Sequence, residues 1–588
     1  MTFATLSSFF AKLEGITSRL AITEVLADLF SSASSTEIAI LCYLSLGRLA
    51  PLYEPLEFQL AEKMIIRVIG QAFNVSEDRV RETYKEVGDL GEVAEKLKVK
   101  SEKLKVIATT RSSKLSMLEV YGRLRKIAEE NGEGSQQRKI EGLVLLLHEL
   151  DSVSCKYVVR MVLGRLRLGF SDVTILDALS WMKTGTKTLR PRLEQAYFVR
   201  ADIGAIAALF KKKGVSGLSG IAAKLGVPVM PALCQRLKSP QEMIAKMGRV
   251  AVEPKYDGQR VQIHWAKRKG QSAKGKAKGV FLRAFTRNLE EVSFMFPELG
   301  RITADLSARE VILDSEAVSY DTSSGKILPF QEIITRKRKH AILEAAAKVP
   351  LRFFVFDILY KDGRSLLHLP LSNRAALLEQ TLAGGKVLMK TERIVTEDPN
   401  VLRQFHAKQL TAGLEGAVVK KWNAPYSPGR RGWSWVKYKE AEERTAGLSD
   451  TLDCVVMGYY RGRGKRASFG IGGFLVGIPK GGHFVTISKI GTGLSDEQWK
   501  ELRLRADRLA VSDKPKEYGD IGKTLAPDIW TRPSLVVEIA ADNITRSPVH
   551  SAGLALRFPR LVRFRDDKGP GQATTMAEVS TLYQLQGK

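Results

Sequence analysis

Lys255 is the residue of this sequence whose neighbours most strongly suggest covalent chemistry. It lies in the segment Glu253-Pro254-Lys255-Tyr256-Asp257-Gly258-Gln259-Arg260, where a turn containing Asp-Gly follows a short predicted strand. A lysine with other cations nearby can supply a neutral amine for attack at carbon or phosphorus. Considered alone, however, such a segment is usually only an exposed charge at the end of a strand.

Five further segments follow Lys255 along the chain and carry the residue types that phosphoryl-type transfer needs. They are Phe285-Thr286-Arg287-Asn288, Asp314-Ser315-Glu316, Phe354-Val355-Phe356-Asp357, Glu415-Gly416-Ala417-Val418-Val419-Lys420 and Trp435-Val436-Lys437-Tyr438-Lys439. Such a transfer depends on charge compensation and in-line placement, so it requires carboxylates that hold Mg²⁺ and cations that hold phosphates. The ordered series therefore favours a nucleotide site over an isolated surface lysine.

Together these segments resemble the nucleotidyltransferase motifs of ATP-dependent DNA ligases. The segment Leu556 to Lys568, which contains Arg557-Phe558-Pro559-Arg560, resembles the final motif of that family. The resemblance also reaches residues 152–169 and so covers nearly the whole chain; it is closest to the compact archaeal and replicative eukaryotic type. Two positions depart from the family pattern: Ser315 stands where Gly is usual, and Thr286 stands where Ser is common. Neither departure removes a charged group, so we expect an active enzyme.

The resemblance implies a reaction in three steps. Lys255 attacks the α-phosphate of ATP, expels pyrophosphate and forms a lysyl-AMP phosphoramidate. The AMP then passes to the 5′-phosphate at a nick in duplex DNA, and the adjacent 3′-hydroxyl displaces it. The implied function is the sealing of nicks in DNA replication, repair and recombination.

The resemblance also implies roles for the other charged residues of the motifs. Glu316 and Glu415 are the candidate metal-binding residues, with Mg²⁺ or another divalent cation as the expected ion. Lys437 and Lys439 are expected to address the α-phosphate, because alternate residues of a strand point to the same face. Arg431 is a weaker phosphate candidate, since the adjacent Arg430 could serve equally well.

The resemblance assigns the base and the sugar of ATP to a second group of residues. Phe356 matches the aromatic residue that stacks on adenine, although a position in the core of a strand would explain it as well. Glu253 matches the acceptor of the adenine amino group, and Arg260, Arg287 and Glu316 are expected to contact ribose or phosphate. In the last motif, Arg565 and Lys568 are expected to orient the pyrophosphate during the first step only.

Composition is consistent with a protein that binds a polyanion. The chain has 588 residues, 92 Lys and Arg against 64 Asp and Glu, and a net charge of +28. Nucleic acid is the leading candidate, although charge alone does not choose among DNA, RNA and anionic lipid. Lysine and arginine recur from Lys156 to Arg167, a pattern suited either to phosphate contacts or to a solvated basic face.

Several other classes of protein are disfavoured by the sequence. The four cysteines lie far apart, so a structural zinc site or disulfides are not expected, and the thiols are interpreted as buried core residues. No apolar run is long enough to cross a membrane, and no secretion signal is evident at the start of the chain. We therefore expect an intracellular protein, cytoplasmic in a prokaryote or nuclear in a eukaryote.

The elements that must position these residues fall into three predicted domains. Helical periodicity predicts an all-α DNA-binding domain over residues 1–227, ended by the prolines Pro228 and Pro231. Mixed strands and helices over residues 228–445 predict an α+β adenylation core with antiparallel sheets. Short strands over residues 446–588 predict a β-barrel of OB type, joined through a hinge at residues 440–450 that would permit a closing movement.

Two alternative functions stay open at the level of sequence. An mRNA-capping guanylyltransferase or RNA ligase would share the lysine motif but not the long helical N-terminal region. A DNA-binding scaffold without activity would explain the charge but not the retention of every candidate catalytic residue. Nicked double-stranded DNA is the expected partner and a monomer the expected state; a sliding clamp is implied only by the family, since no convincing clamp-binding peptide is evident.

Overall fold

The computed structural model describes residues 1–103, 115–237, 239–267, 280–328, 332–333, 335–336, 342–429, 431–438, 451–462, 469–522, 524–541 and 543–585. They form two compact units, Met1–Lys439 and Glu440–Lys588. The first unit contains a helical region followed by a region of strands and helices, and the second is mainly strands. The predicted hinge at residues 440–450 lies outside the described residues, as does the Lys-rich segment 268–279.

The helical region is built from amphipathic helices around one apolar core. Its described helices are α1 Phe3–Glu14, α2 Arg19–Ser31, α3 Glu37–Ser45, α4 Glu62–Phe73, α5 Glu77–Val87, α6 Leu90–Lys103, α7 Met117–Glu129, α8 Ser135–Glu149, α9 Ser152–Val162, α10 Asp172–Thr184, α11 Arg190–Val199 and α12 Ile203–Leu218. In α4, for example, Ile65, Val68, Ile69 and Ala72 are buried in the register that one apolar face requires. The prediction of a helical N-terminal region is thus confirmed.

The cations between Lys156 and Arg167 are committed to ion pairs within the protein. Arg160 is buried and bonds Asp89, with Nε at 3.2 Å from both carboxylate oxygens, and it also contacts Glu14 at 3.0 Å. Arg167 contacts the same Asp89 at 2.7 Å. Arg160 therefore neither contacts phosphate nor lies on a solvated basic face, the two roles that the sequence suggested. Its acidic partners are distant in the sequence, so the local charge pattern did not reveal them.

The central region alternates strands and helices after the helical region ends. In chain order these are β1 Leu233–Arg236, α13 Pro240–Met247, β2 Val250–Pro254, β3 Gln259–Lys267, β4 Val280–Thr286, β5 Glu310–Ser319, α14 Ile342–Lys348, β6 Leu351–Lys361, β7 Arg364–Ser365, α15 Leu371–Thr381, β8 Leu388–Lys390, β9 Ile394–Thr396, α16 Pro399–Thr411, β10 Ala417–Lys421 and β11 Arg431–Tyr438. Short 3₁₀ helices at Ser293–Met295 and Pro297–Asp305 lie between β4 and β5.

Two sheets organise this region. Sheet A has the order β1-β11-β10-β2-β9, and sheet B has the order β4-β3-β5-β6-β7 with β8 beside β6. One face of sheet A packs on α13 and α16 through residues such as Met243, Val252 and Leu402. The expected antiparallel arrangement holds for most pairs, but β1 with β11 and β6 with β8 are parallel. Each parallel pair is joined by a long connection containing a helix, which parallel neighbours require.

Hydrogen bonds and an aromatic contact join the helical region to sheet B within the same compact unit. Arg283 on β4 donates to the carbonyl of Tyr53 at 2.9 Å and to that of Gly226 at 3.1 Å. The Tyr53 ring also meets Phe285 edge to face at 6.1 Å. Beside them, burial and the nearby Arg283 lower the pKa of His264 to about 3, so the imidazole is neutral and accepts from the Gly226 amide.

The second unit consists of strands β12 Leu452–Tyr460, β13 Gly473–Lys480, β14 His483–Ile490, β15 Ala510–Val511, β16 Ile529–Thr531, β17 Val536–Ala540, β18 Asn543–Arg546, β19 Leu554–Arg557 and β20 Arg560–Phe564, with helices α17 Asp496–Asp507 and α18 Met576–Leu585. One seven-stranded sheet runs β14-β13-β12-β16-β15, with β17 beside β12 and β20 beside β17. Among the strands described, no pairing joins β14 to β20, so this sheet is open and the predicted closure into a β-barrel is not observed.

Candidate active site

A cavity of about 520 Å³ opens between sheets A and B. Sheet A contributes Glu253, Val418, Lys420 and Trp435 to its wall, and sheet B contributes Arg260, Glu316 and Phe356. The turn that carries Lys255 and the loop that carries Arg287 complete the lining. The cavity thus gathers predicted site residues that are far apart in the sequence.

Strand register explains which side chains of sheet A reach the cavity. Val418 on β10 lies opposite Glu253 on one side and opposite Lys437 on the other. Lys420 lies opposite Trp435 in the next row of the same face. Side chains paired across neighbouring strands share a face, while Ala417, Val419 and Val436 point to the core on the other side. Lys437 is therefore on the same face of sheet A as the residues that line the cavity.

Lys255 is held where β2 and β10 meet. Its backbone amide donates to the carbonyl of Gly416 at 2.9 Å, and the Glu415 amide donates to its carbonyl at 3.2 Å. The Lys255 ammonium contacts the Glu415 carboxylate directly. Gly416 has φ of +121° and lies against the carbonyl of Tyr438, which explains the glycine in this segment. Two residues predicted from separate motifs, Lys255 and Glu415, are therefore brought into contact.

Glu316 presents its carboxylate to the cavity with no protein hydrogen-bond donor among the described residues. Enclosure by protein raises the pKa of Glu316 to about 8, with Asp314 and Asp257 adding to the effect and Arg260 and Lys255 opposing it. A neighbouring cation would stabilise the charged form of this enclosed carboxyl group. In the described parts of the chain, no group of three or more acidic, histidine or cysteine side chains could hold a metal unaided. Mg²⁺ is usually bound by one or two carboxylates together with phosphates, so Glu316 and Glu415 fit that donor set.

Arg260 lines the cavity, yet its guanidinium already donates hydrogen bonds to protein acceptors through all three nitrogens. Its Nε and Nη2 donate to the two oxygens of Asp314 at 3.0 and 2.6 Å, and its Nη1 donates to the carbonyl of Ala232 at 2.7 Å. The hydroxyl of Tyr426 donates to the same Asp314 at 2.8 Å. The expected contact of Arg260 with ribose or phosphate thus starts from a guanidinium already fixed by Asp314.

The remaining predicted residues of the first unit divide into three cases. Arg287 is exposed at the cavity wall, and Phe356 is half-buried there with its ring edge to face with Trp435 at 5.9 Å. Arg431 is the first residue of β11, and only its backbone is described by the structure. Lys439 and Arg430 lie outside the described residues altogether.

In the second unit, Arg565 and Lys568 converge on one carboxylate. Asp453 accepts from Arg565 Nη1 at 2.9 Å and from Lys568 Nζ at 2.6 Å. Arg565 also binds Asp567, whose pKa falls below its usual range because of that hydrogen-bonded arginine. The two cations predicted from the sequence are therefore adjacent, and Asp453 sets their spacing.

Sequence reasoning missed four residues that shape the site. Lys420 and Trp435 belong to motifs of the sequence but carry no predicted role of their own, and no sequence pattern connects Arg393 or Cys234 with the site. Cys234 lines the cavity and is half-buried, unlike the three buried cysteines, so the interpretation of all four thiols as buried core residues is wrong for this one. Its position depends on the parallel pairing of β1 with β11, which no local pattern signals.

Three family models match successive parts of the chain. They are described as "DNA ligase N terminus" for residues 2–180, "ATP dependent DNA ligase domain" for residues 231–439 and "ATP dependent DNA ligase C terminal region" for residues 467–568. The chain is 39% identical to "Probable DNA ligase" of Dictyoglomus turgidum and 37% identical to "DNA ligase" of Saccharolobus solfataricus. Both alignments cover 100% of this chain and 98% of the relative.

A solved structure named Pmar-Lig_PreS3 is similar in fold, with a TM-score of 0.52, 17% identity, and coverage of 95% of this chain and 99% of that one. The chain belongs to the ATP-dependent DNA ligase family, as its sequence motifs predicted, and it is an enzyme. ATP is the co-substrate of this family, and its members use a divalent cation, generally Mg²⁺. No helix in the described portions of the chain has the length and hydropathy needed to span a bilayer.

Proposed function

We propose that this chain seals nicks in duplex DNA by way of a covalent AMP on Lys255. The observation that carries the proposal is the convergence of Lys255, Glu253, Arg260, Glu316 and Phe356 on one cavity of about 520 Å³. Such a volume suits a small-molecule ligand. Lysine, carboxylates, cations and an aromatic ring are also the groups that capture of a nucleotide requires.

In the first step, the neutral amine of Lys255 forms a P–N bond to the α-phosphorus of ATP. The P–O bond to pyrophosphate breaks, pyrophosphate leaves, and the amine gives up its proton. Glu415 contacts the Lys255 ammonium and is placed to orient the amine. Lys437, on the cavity face, and Lys439 are assigned to the α-phosphate.

A bound Mg²⁺ would neutralise charge on the phosphates, and Glu316 and Glu415 would hold it. Phe356 is assigned to the face of adenine and Glu253 to its amino group. Arg260 and Arg287 are assigned to ribose and phosphate, with Arg431 as a further phosphate contact. These roles extend the family assignment to individual residues of this chain.

Arg565 and Lys568 are assigned to the pyrophosphate of ATP, and only in the first step. In the second and third steps, the 5′-phosphate of the nick takes AMP from Lys255 and the 3′-hydroxyl then displaces AMP. Pyrophosphate has already left, so these cations have no pyrophosphate left to orient. Measuring the first step separately from the second and third steps therefore tests the role of Arg565 and Lys568.

The organisation proposed for the chain keeps the sequence-based boundaries. Residues 1–227 serve as a DNA-binding domain, residues 228–445 as the adenylation domain and residues 446–588 as an OB-fold domain. The mainly antiparallel strands of the second unit support the OB assignment. We further propose that the protein is an intracellular monomer. It acts on nicked duplex DNA, with a sliding clamp as an additional partner.

Replacing Asp453 with Asn is expected to slow formation of lysyl-AMP about tenfold, because Arg565 and Lys568 lose the carboxylate that aligns them. Sealing of a nick that already carries 5′-AMP should change little. Single-turnover measurement of both steps provides the check, with Asp513→Asn as a control at an exposed carboxylate of the same unit. Equal loss in both steps would contradict the assigned role.

The proposed function is tested with a nicked duplex and labelled nucleotides. With Mg²⁺, labelled ATP should leave label on the protein and nicked DNA should remove it while the strand is sealed. GTP should leave little label, which separates this function from that of a capping guanylyltransferase. Retention of label from GTP, or sealing of nicked RNA in preference to DNA, would refute the proposal.

A further inference from the structure

Arg393 connects two residues that are assigned to different parts of the adenine ring. Its Nε donates to Glu253 Oε1 at 2.7 Å, and its Nη2 donates to the backbone carbonyl of Phe356 at 2.9 Å. The Arg393 side chain is only 12% exposed. One largely enclosed guanidinium therefore fixes the carboxylate of Glu253 relative to the strand that carries the Phe356 ring.

The strand arrangement explains how Arg393 reaches both residues. It immediately precedes β9, which pairs with β2 so that Ile394 lies opposite Val252. Arg393 therefore lies near Glu253, the next residue along β2. Phe356 belongs to β6 in sheet B, so the guanidinium bridges the two sheets that enclose the cavity. An arginine suits this task because its planar group donates in several fixed directions.

Two cations contact the carboxylate of Glu253, Arg393 at Oε1 and Lys420 at Oε2. Its Oε2 is 2.5 Å from the Nζ of Lys420, a buried lysine that also lies 4.3 Å from the Phe356 ring centroid and 4.2 Å from that of Trp435. Glu253 is itself buried, so these two cations supply the compensation that a buried carboxylate needs. An ionised carboxylate only accepts hydrogen bonds. It favours the 6-amino group of adenine and disfavours the 6-oxo group of guanine or hypoxanthine, which is also an acceptor.

We propose that Arg393 is a positioning residue that sets the preference of this enzyme for 6-aminopurine nucleotides. It acts through Glu253 and Phe356 and need not touch the nucleotide itself. The inference rests on the proposed function, because it takes the adenine roles of those two residues as given. It goes further in naming the residue that holds them in register.

The test compares capture of ATP and of inosine triphosphate, which differs from ATP in carrying a 6-oxo group. The wild type should form the covalent lysyl adduct with a higher kcat/KM for ATP. Arg393→Met should reduce the ratio of the two kcat/KM values at least about tenfold, since a hydrogen bond to a charged group is lost or misdirected. Arg393→Lys should have an intermediate effect, because one ammonium replaces a fork that reaches two acceptors.

Arg336→Met is the matched control. Arg336 is a buried arginine of the same region that bonds Glu298 at 2.7 and 3.0 Å, away from the cavity lining. Its replacement removes a comparable ion pair and should leave the nucleotide ratio unchanged. The control thereby separates a general loss of stability from a loss of selectivity.

Two results would overturn the inference. An unchanged ratio in Arg393→Lys and Arg393→Met, including equal losses with both nucleotides, is the first; a wild type with no preference between the two nucleotides is the second. If Arg393→Met does not fold, Arg393→Lys alone decides between these outcomes. Failure of the wild type to capture either nucleotide would refute the proposed function, and this inference with it.

Discussion

Replacing Lys255 with Arg is expected to abolish covalent capture of AMP and to lower nick sealing by at least about 10⁴-fold, the scale of loss found when a catalytic nucleophile is removed. The substitution keeps a cation that can still pair with Glu415, so the charge of the site is preserved. A guanidinium does not deprotonate in proteins and so provides no nucleophilic amine. The loss would therefore report the missing nucleophile and not the missing charge.

A matched control for this variant lies on the neighbouring strand. Lys421 is an exposed lysine of β10 that follows Lys420 and does not line the cavity. Lys421→Arg should retain labelling by ATP and nick sealing at close to the wild-type rate. Labelled AMP on Lys255→Arg, measured after denaturation and gel separation, would show that another side chain carries the nucleotide.

Gly258→Ala is expected to have the second largest effect, about 100-fold on lysyl-AMP formation, because displacement of a reacting group by about 1 Å costs that much. A Cβ at this position would lie 2.4 Å from the carbonyl of Ala317 and 2.8 Å from Cγ of Glu316. The carbonyl of Ala317 belongs to the backbone of a strand, so it cannot move aside as the end of a flexible side chain can. Either the turn that carries Lys255 or the strand that carries Glu316 must therefore move.

The same clash should also lower stability, by about 1–3 kcal/mol as in other overpacked sites. Gly300→Ala serves as the control, because a Cβ there meets nothing within 4 Å. Thermal unfolding and single-turnover labelling, measured on both variants, separate the two effects. A Gly258→Ala variant that labels as fast as the wild type would show that this close approach does not position the site.

The sequence predicted the family of this protein and the residue types of its cavity more completely than the contacts between them. Lys255 and Glu415 were both identified, since each belongs to a recognisable motif. Their contact depends on the pairing of β2 with β10, which joins segments far apart in the chain. Motifs name the residue types that a reaction needs, whereas strand register decides which of them meet.

Residues that support the site were harder to predict. Nothing around Arg393 marks it locally, yet it fixes Glu253 across a sequence separation of 140 residues. Likewise, Arg260 was expected to bind the nucleotide, but its ion pair with Asp314 follows from the register of β3 with β5. Buried ion pairs of this kind arise from tertiary structure, so the charge pattern of a single segment does not reveal them.

Fold prediction succeeded where local patterns are strong. The helical periodicity of the N-terminal region, seen for example in the buried face of α4, is one case. The parallel pairs β1–β11 and β6–β8 were not predicted, because alternation of apolar residues does not distinguish parallel from antiparallel neighbours. Both pairs lie in the region that forms the cavity, and β1 places Cys234 in its wall.

The most direct test of the account is the location of AMP on the protein. Wild-type protein is incubated with ATP and Mg²⁺, digested, and mapped by peptide mass spectrometry before and after nicked DNA is added. The account predicts a single adenylate on the peptide that contains Lys255, lost when nicked DNA is sealed. Adenylate on any other side chain of sealing-competent protein, or none at all, would contradict it.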